Sequence, residues 1–159
     1  MNTEIRVLTA SDEEAMYAVI NTAAEAYSGL IPEESDTEPY MPMDELRSEV
    51  ARMTFFGATD DRLLGVIGIQ ERDDVSLIRH LYVRPTRQRS GIGTRLLERA
   101  IRHATAETVL VGTWAAADWA ISFYENNGFE NLGADDALLS KYWDIPEYQR
   151  SSSVVLRRE

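Results

Sequence analysis

The chain has 159 residues, a formal net charge of −11 and 44% hydrophobic content, so it is expected to be one domain, residues 1–159, with enough apolar material for a core. The absence of cysteine excludes disulfides and a thiol nucleophile, two widely separated histidines (His80, His103) argue against a histidine-rich metal site, and the acidic balance argues against a nucleic-acid partner. No run approaches the ~18 apolar residues of a membrane span, and Met-Asn-Thr-Glu-Ile-Arg lacks a basic flank or an apolar leader, so no membrane partner is expected and a cytoplasmic location is.

In chain order, Thr3 to Thr9 alternates as a strand with Ile5 and Val7 on one face. Ser11 reads as an N-cap with Glu14 at the capping-box position, opening a helix to about Tyr27 whose apolar set is Met16, Val19, Ile20 and Ala23. Gly29 and Pro32 end it, and residues 31–42 are acidic and turn-rich. A second helix runs from Met43 to near Met53. Strands follow over Thr54 to Thr59 and Arg62 to Arg72, joined at Asp60-Asp61, and over Val75 to Val83 after Asp73-Asp74. A helix reaches about Ala106, with Ile92, Leu96, Leu97, Ala100 and Ile101 as its core stripe. Val109 to Trp114 is a buried strand, 117–127 a helix ended by Gly128, and Phe129 begins a short strand. Residues 134–150 read as irregular, and Ser152 to Arg157 as a closing strand.

The most informative stretch joins the strand ending Leu81-Tyr82-Val83 to the helix through Arg84-Pro85-Thr86-Arg87-Gln88-Arg89-Ser90-Gly91-Ile92-Gly93. Without Cβ atoms, Gly91 and Gly93 can take positive φ and let the backbone come close to a bulky anion, while the first N–H groups of the helix point at it. Arg84, Arg87, Arg89 and Arg95 add positive charge. Neither Gly-x-x-x-x-Gly-Lys-[ST] nor Gly-x-Gly-x-x-Gly is present, which sets aside the Walker A loop and the dinucleotide fingerprint.

Gln88-Arg89-Ser90-Gly91-Ile92-Gly93, after Leu81-Tyr82-Val83 and Pro85, resembles the Q/R-x-x-G-x-G/A acetyl-CoA signature of the GNAT superfamily of N-acetyltransferases. Ala120-Ile121-Ser122-Phe123-Tyr124-Glu125-Asn126-Asn127-Gly128-Phe129 is similar to that family's next motif, and the resemblance covers roughly residues 3–158. It implies an α+β fold, three-layer α/β/α around a mixed, mostly antiparallel sheet, and acetyl-CoA as cosubstrate. It also implies that Leu81, Tyr82 and Val83 pair with the pantetheine arm and that Gln88, Arg89, Ser90, Gly91, Ile92, Gly93 and Thr94 hold the pyrophosphate. Tyr124 would be the acid that protonates the leaving thiolate, since a phenol with a pKa near ~10 keeps its proton at neutral pH.

Three positions depart from the family pattern. Ala117 stands where many members carry an Asn that contacts pantetheine, and Leu77 and Gly112 stand where some protein-modifying members place a catalytic Glu. His80 lies an odd number of residues from Leu77, so strand alternation would turn it to the opposite face as a structural histidine. Glu71, or water relayed to solvent, is left as the base. Tyr27, Tyr40, Met41, Tyr142 and Trp143 are candidates for the acceptor wall, with Glu33, Glu34 and Glu38 available to attract a cation.

The leading expectation is an N-acetyltransferase acting by direct transfer on a small-molecule amine. A protein amine acetyltransferase and a non-catalytic acyl-CoA-binding module are the alternatives, and monomer and homodimer both stay open. Lys141 is the single Lys among 16 basic residues. Acid excess with so little Lys looks like adaptation to high salt, in which case the charge says little about the acceptor.

Overall fold

The computed structural model describes residues 3–88 and 90–159, so Arg89, expected in the anion-binding turn, lies outside the described residues. Seven strands form one sheet: β1 (Glu4–Val7), β2 (Thr54–Thr59), β3 (Leu63–Arg72), β4 (Val75–Val83), β5 (Thr108–Trp114), β6 (Glu130–Asn131) and β7 (Ser153–Arg158). Their spatial order is β1-β2-β3-β4-β5-β7-β6. Only β4 and β5 run parallel, and the other neighbours are antiparallel. The short Asp60-Asp61 and Asp73-Asp74 links make β2, β3 and β4 consecutive antiparallel neighbours. The parallel β4–β5 pair needs a crossover, which helix α3 (Ile92–His103) supplies. This is the expected mixed, mostly antiparallel sheet.

Helices α1 (Glu13–Ala24) and α2 (Met43–Arg52) cover one face, and α3 with α4 (Asp118–Asn126) cover the other. β3 is buried from Leu63 to Gln70, as its nearly unbroken apolar run requires of a strand covered on both faces. Ile92, Leu96, Leu97 and Ala100 of α3 are at most 3% exposed, and each large side chain buried in this way contributes ~1.5–3 kcal/mol. Met16, Val19, Ile20 and Ala23 of α1 are buried against the opposite face.

Two local readings are corrected. The capping box at the α1 entrance lies two residues earlier than expected: the Thr9 N–H donates to Asp12 Oδ2 at 2.8 Å and a 3-10 turn, Ala10–Asp12, precedes the helix. Asp12 wins over Glu14 because Arg6 also binds it, at 2.9 Å. Residues 134–150 are not irregular but hold two short helices, α5 (Asp136–Tyr142) and α6 (Glu147–Arg150). The Asp135 side chain caps α5 by accepting from the Leu138 N–H at 3.1 Å, and Leu139 and Tyr142 bury against Leu77, Leu110 and Val155. Those seven residues are too few for helical periodicity to show.

The feature that positions the site is a splay between β4 and β5. They pair only from Val75/Thr108 to Ile78/Val111. Beyond that point β4 stays with β3 while β5 continues on β7 to Trp114/Ser153. A register shift between Val66 and Gly68 marks a bulge in β4 at His80, which has φ of 58°. Such a bulge adds twist and bends the strand. The backbone edge of Leu81 to Val83 that faces β5 is thereby left without a strand partner.

Candidate active site

The splay opens into a cleft of about 1380 Å³. At one end it meets the start of α3. Gly91 caps that helix at φ 82°, in the left-handed region that only glycine enters freely, and among the described residues no side chain caps the helix. The first N–H groups of α3 are therefore free for an anion. Gly93 has no positive φ and sits in the helix. A Cβ there would lie 3.5 Å from the Phe123 ring, so its glycine matters for space rather than for backbone sign.

Gln88, Gly91, Gly93 and Thr94 line the cleft, as do Leu81, Tyr82 and Val83. The Gln88 Nε2 donates to the Val83 carbonyl at 3.1 Å, closing the turn. Ser90 is exposed and its hydroxyl donates to the Arg87 carbonyl. The Ile92 side chain is core, 3% exposed, so only its backbone is available. Three arginines expected to charge the turn brace it instead. Arg84 Nε donates to the Leu63 carbonyl (2.7 Å), Arg87 pairs with Asp60 (3.0 Å) and Arg95 Nη2 donates to the Thr3 carbonyl (2.9 Å).

Tyr124 lines the cleft from α4, 6% exposed, with Phe123 and Phe129 edge-on at 5.2 and 5.5 Å. Burial and the nearby Tyr27 push its phenol well above the ordinary value, so it holds its proton throughout the neutral range. Ala117, which precedes α4, is fully buried and offers no side-chain group to the cleft.

Aromatic side chains bridge the mouth. Tyr27, just past α1, stacks on Trp119 of α4 at 5.8 Å and lies 5.9 Å from Tyr40, whose hydroxyl accepts from Trp114 Nε1 at 3.1 Å. Of the expected acceptor wall, Tyr27, Tyr40, Met41, Trp143 and Glu34 line the cleft. Tyr142 does not; it is core, and its hydroxyl donates to Asp74 Oδ1 at 2.7 Å.

The expected base positions are also resolved. Leu77 is fully buried, and a Cβ on Gly112 would come within 3.3 Å of the Trp143 indole, which lies over it. Glu71 is away from the cleft and accepts from Ser76 and Thr105. His80 is not turned to the opposite face, because the bulge interrupts strand alternation. It stacks on Phe55 at 6.0 Å and its Nε2 is 3.2 Å from Glu49 Oε1, on the α2 side.

Glu49, missed from sequence, is the one charged residue buried as a whole among the described residues. Arg79 Nη2 also reaches Oε1, at 3.4 Å, while donating through Nη1 to Gln70 at 3.2 Å. Burial pushes the Glu49 carboxyl up, but His80, Arg79 and Arg52 outweigh it and hold it below its usual value, so it is ionised at neutral pH. Its signal in the sequence was a carboxylate three positions after Leu46, inside the apolar stripe of α2. Among the described residues no group of three or more His, Asp or Glu could hold a metal ion, and no helix is long and apolar enough to cross a membrane.

Similar chains share this architecture. The PaiA N-acetyltransferase of Thermoplasma acidophilum, solved with coenzyme A, superposes with a TM-score of 0.75 at 22% identity, over 100% of this chain and 99% of that one. The ribosomal-protein-S18-alanine N-acetyltransferase of Escherichia coli gives 0.71 at 19% identity, over 99% and 93%. N-acetylglutamate synthase of Neisseria gonorrhoeae, with coenzyme A and N-acetyl-glutamate, gives 0.68 at 20% identity, over 99% of this chain but 35% of that one. Residues 51–131, just over half the chain and including both glycines, Tyr124 and the splayed strands, match the model of the acetyltransferase (GNAT) domain, and the chain belongs to that family of acetyl-CoA-dependent N-acetyltransferases.

Proposed function

We propose that the protein moves the acetyl group of acetyl-CoA to the primary amine of a small molecule, by direct transfer in a ternary complex. The observation that carries this reading is the continuous cleft from the uncapped start of α3, along the unpaired edge of β4, to a chamber walled by α2 on one side and Trp143 on the other. The residues fit the cosubstrate. A Cβ at Gly91 would meet nothing within 4 Å, and the helix there leaves its N–H groups open to a diphosphate. The backbone of Gly91 to Thr94 would hold that diphosphate, with Gln88, Arg89 and Ser90 beside it. Leu81 to Val83 would accept the pantetheine arm as an added strand.

Acetyl-CoA supplies the thioester: the amine nitrogen bonds to the acetyl carbon, the carbon–sulfur bond breaks, and of the two protons an ammonium loses, one ends on the thiol and one in solvent. Tyr124 would donate at the sulfur. A backbone N–H on the free edge of β4 would polarise the carbonyl, a contact typically worth ~100- to 1000-fold in rate. Leu77, Gly112 and Glu71 supply no base at the cleft, and the proton released by the acceptor ends in solvent. Trp143 and Tyr40 line the cleft with aromatic surface, which suits a small molecule. Small primary amines are expected to exceed amine-terminated peptides in kcat/KM by at least about tenfold, some 1.4 kcal/mol of transition-state binding. Steady-state rates over a panel of both kinds check this, and the reverse ranking would assign a protein amine.

A further inference from the structure

We propose that Glu49 Oε2 is the docking atom for the acceptor's ammonium group, which makes the protein selective for amines that are cationic when they bind. The inference rests on the acetyltransferase reading of the same cleft. Glu49 projects from α2, 6% exposed, and lines the cleft. His80 and Arg79 both act on Oε1, at 3.2 and 3.4 Å. Oε2 is buried and has no hydrogen-bond partner among the described residues. The nearest cation to it is the half-exposed Arg52, whose Nη1 at 3.4 Å is not placed for a hydrogen bond.

A buried carboxylate oxygen with no donor is costly, and a native structure tolerates one where a ligand completes it. The direction of the cleft says which ligand. With the diphosphate held at Gly91 to Thr94 and pantetheine along Val83 to Leu81, the thioester would fall toward His80 and Leu81, and Glu49 lines the same cleft. Facing it, the Trp143 indole covers Gly112, and the carboxylate on that side, Asp144, is exposed rather than buried. Glu45, one turn earlier on α2, is an exposed carboxylate on the same cleft and adds negative potential. An N–H-rich cation is the chemistry that Oε2 lacks.

The test uses the protein saturated with coenzyme A, which binds without transferring, titrated by calorimetry with tyramine and with 4-ethylphenol, and with butylamine and with butanol. The parent is expected to prefer each ammonium over its neutral counterpart by about 10- to 100-fold, the worth of one hydrogen bond to a charged group. Glu49→Gln is expected to erase that preference while leaving affinity for coenzyme A unchanged. Glu49→Asp, which keeps the charge beside His80 and Arg79 but retracts it, is expected to keep the fold, read as melting temperature, and part of the preference. A parent without preference in either pair, or a Glu49→Gln protein that retains it, overturns the dock. Preference without acetyl transfer to any amine leaves the dock standing and overturns the transferase reading of the cleft.

Discussion

Tyr124→Phe is expected to bind acetyl-CoA as the parent does and to turn over about 100- to 10,000-fold more slowly, the usual worth of a positioned general acid. The ring is buried and packed edge-on between Phe123 and Phe129, so Phe keeps the α4 packing and removes only the donor. The donor is present at every pH of interest, because burial and Tyr27 hold the phenol above its ordinary value. With the hydroxyl gone, the departing sulfur must take its proton from water in a cleft that Tyr27 and Trp119 partly close. Single-turnover rates beside calorimetric affinity check this. Turnover within about twofold of the parent, with acetyl transfer still the slow step, assigns Tyr124 to packing.

Gly91→Val should weaken acetyl-CoA binding by about tenfold or more. At φ 82° a β-branched residue is strained, by about 1–3 kcal/mol, and the simplest relief is to rotate the turn and carry the helix N–H groups away from the diphosphate. The site is exposed and a Cβ there meets nothing within 4 Å, so the fold should survive. Gly91→Ala carries the same backbone strain with little bulk and separates the two causes. Gly93→Val acts by another route: its φ is ordinary, and its side chain would grow from a Cβ position already 3.5 Å from the Phe123 ring, at the wall of the cleft proposed for the cosubstrate. Its expected loss is also about tenfold, equivalent to ~1.4 kcal/mol. Unchanged affinity in both Val variants, measured by calorimetry on folded protein, contradicts the diphosphate site.

The architecture was legible because its signals are local. The α1 and α3 stripes, the acidic pairs between β2, β3 and β4, and Gly91 all act through their nearest neighbours in sequence. What escaped depends on long-range geometry. The face His80 occupies follows from a bulge, which period-two alternation cannot anticipate. The turn arginines resemble ligands for an anion, yet Arg84, Arg87 and Arg95 find partners on β3, in the β2–β3 link and in the N-terminal segment, up to 92 positions away. Glu49 was hidden for the same reason: its meaning comes from His80, 31 positions later, and from a cleft that exists only once β4 and β5 separate. Gly112 stands where some family members carry a catalytic Glu, and the indole that lies over it belongs to Trp143, 31 positions later.

Mass balance of the acetyl group is the most direct test of the transfer. Acetyl-CoA isotopically labelled in its acetyl group would be incubated with the protein and a panel of small primary amines, with thiol release and labelled products quantified together. The expected result is one N-acetylated amine per CoA thiol, with both lost together in Tyr124→Phe. Thiol release that is the same with and without amines, or label that reaches no amine although the protein binds acetyl-CoA, would contradict it.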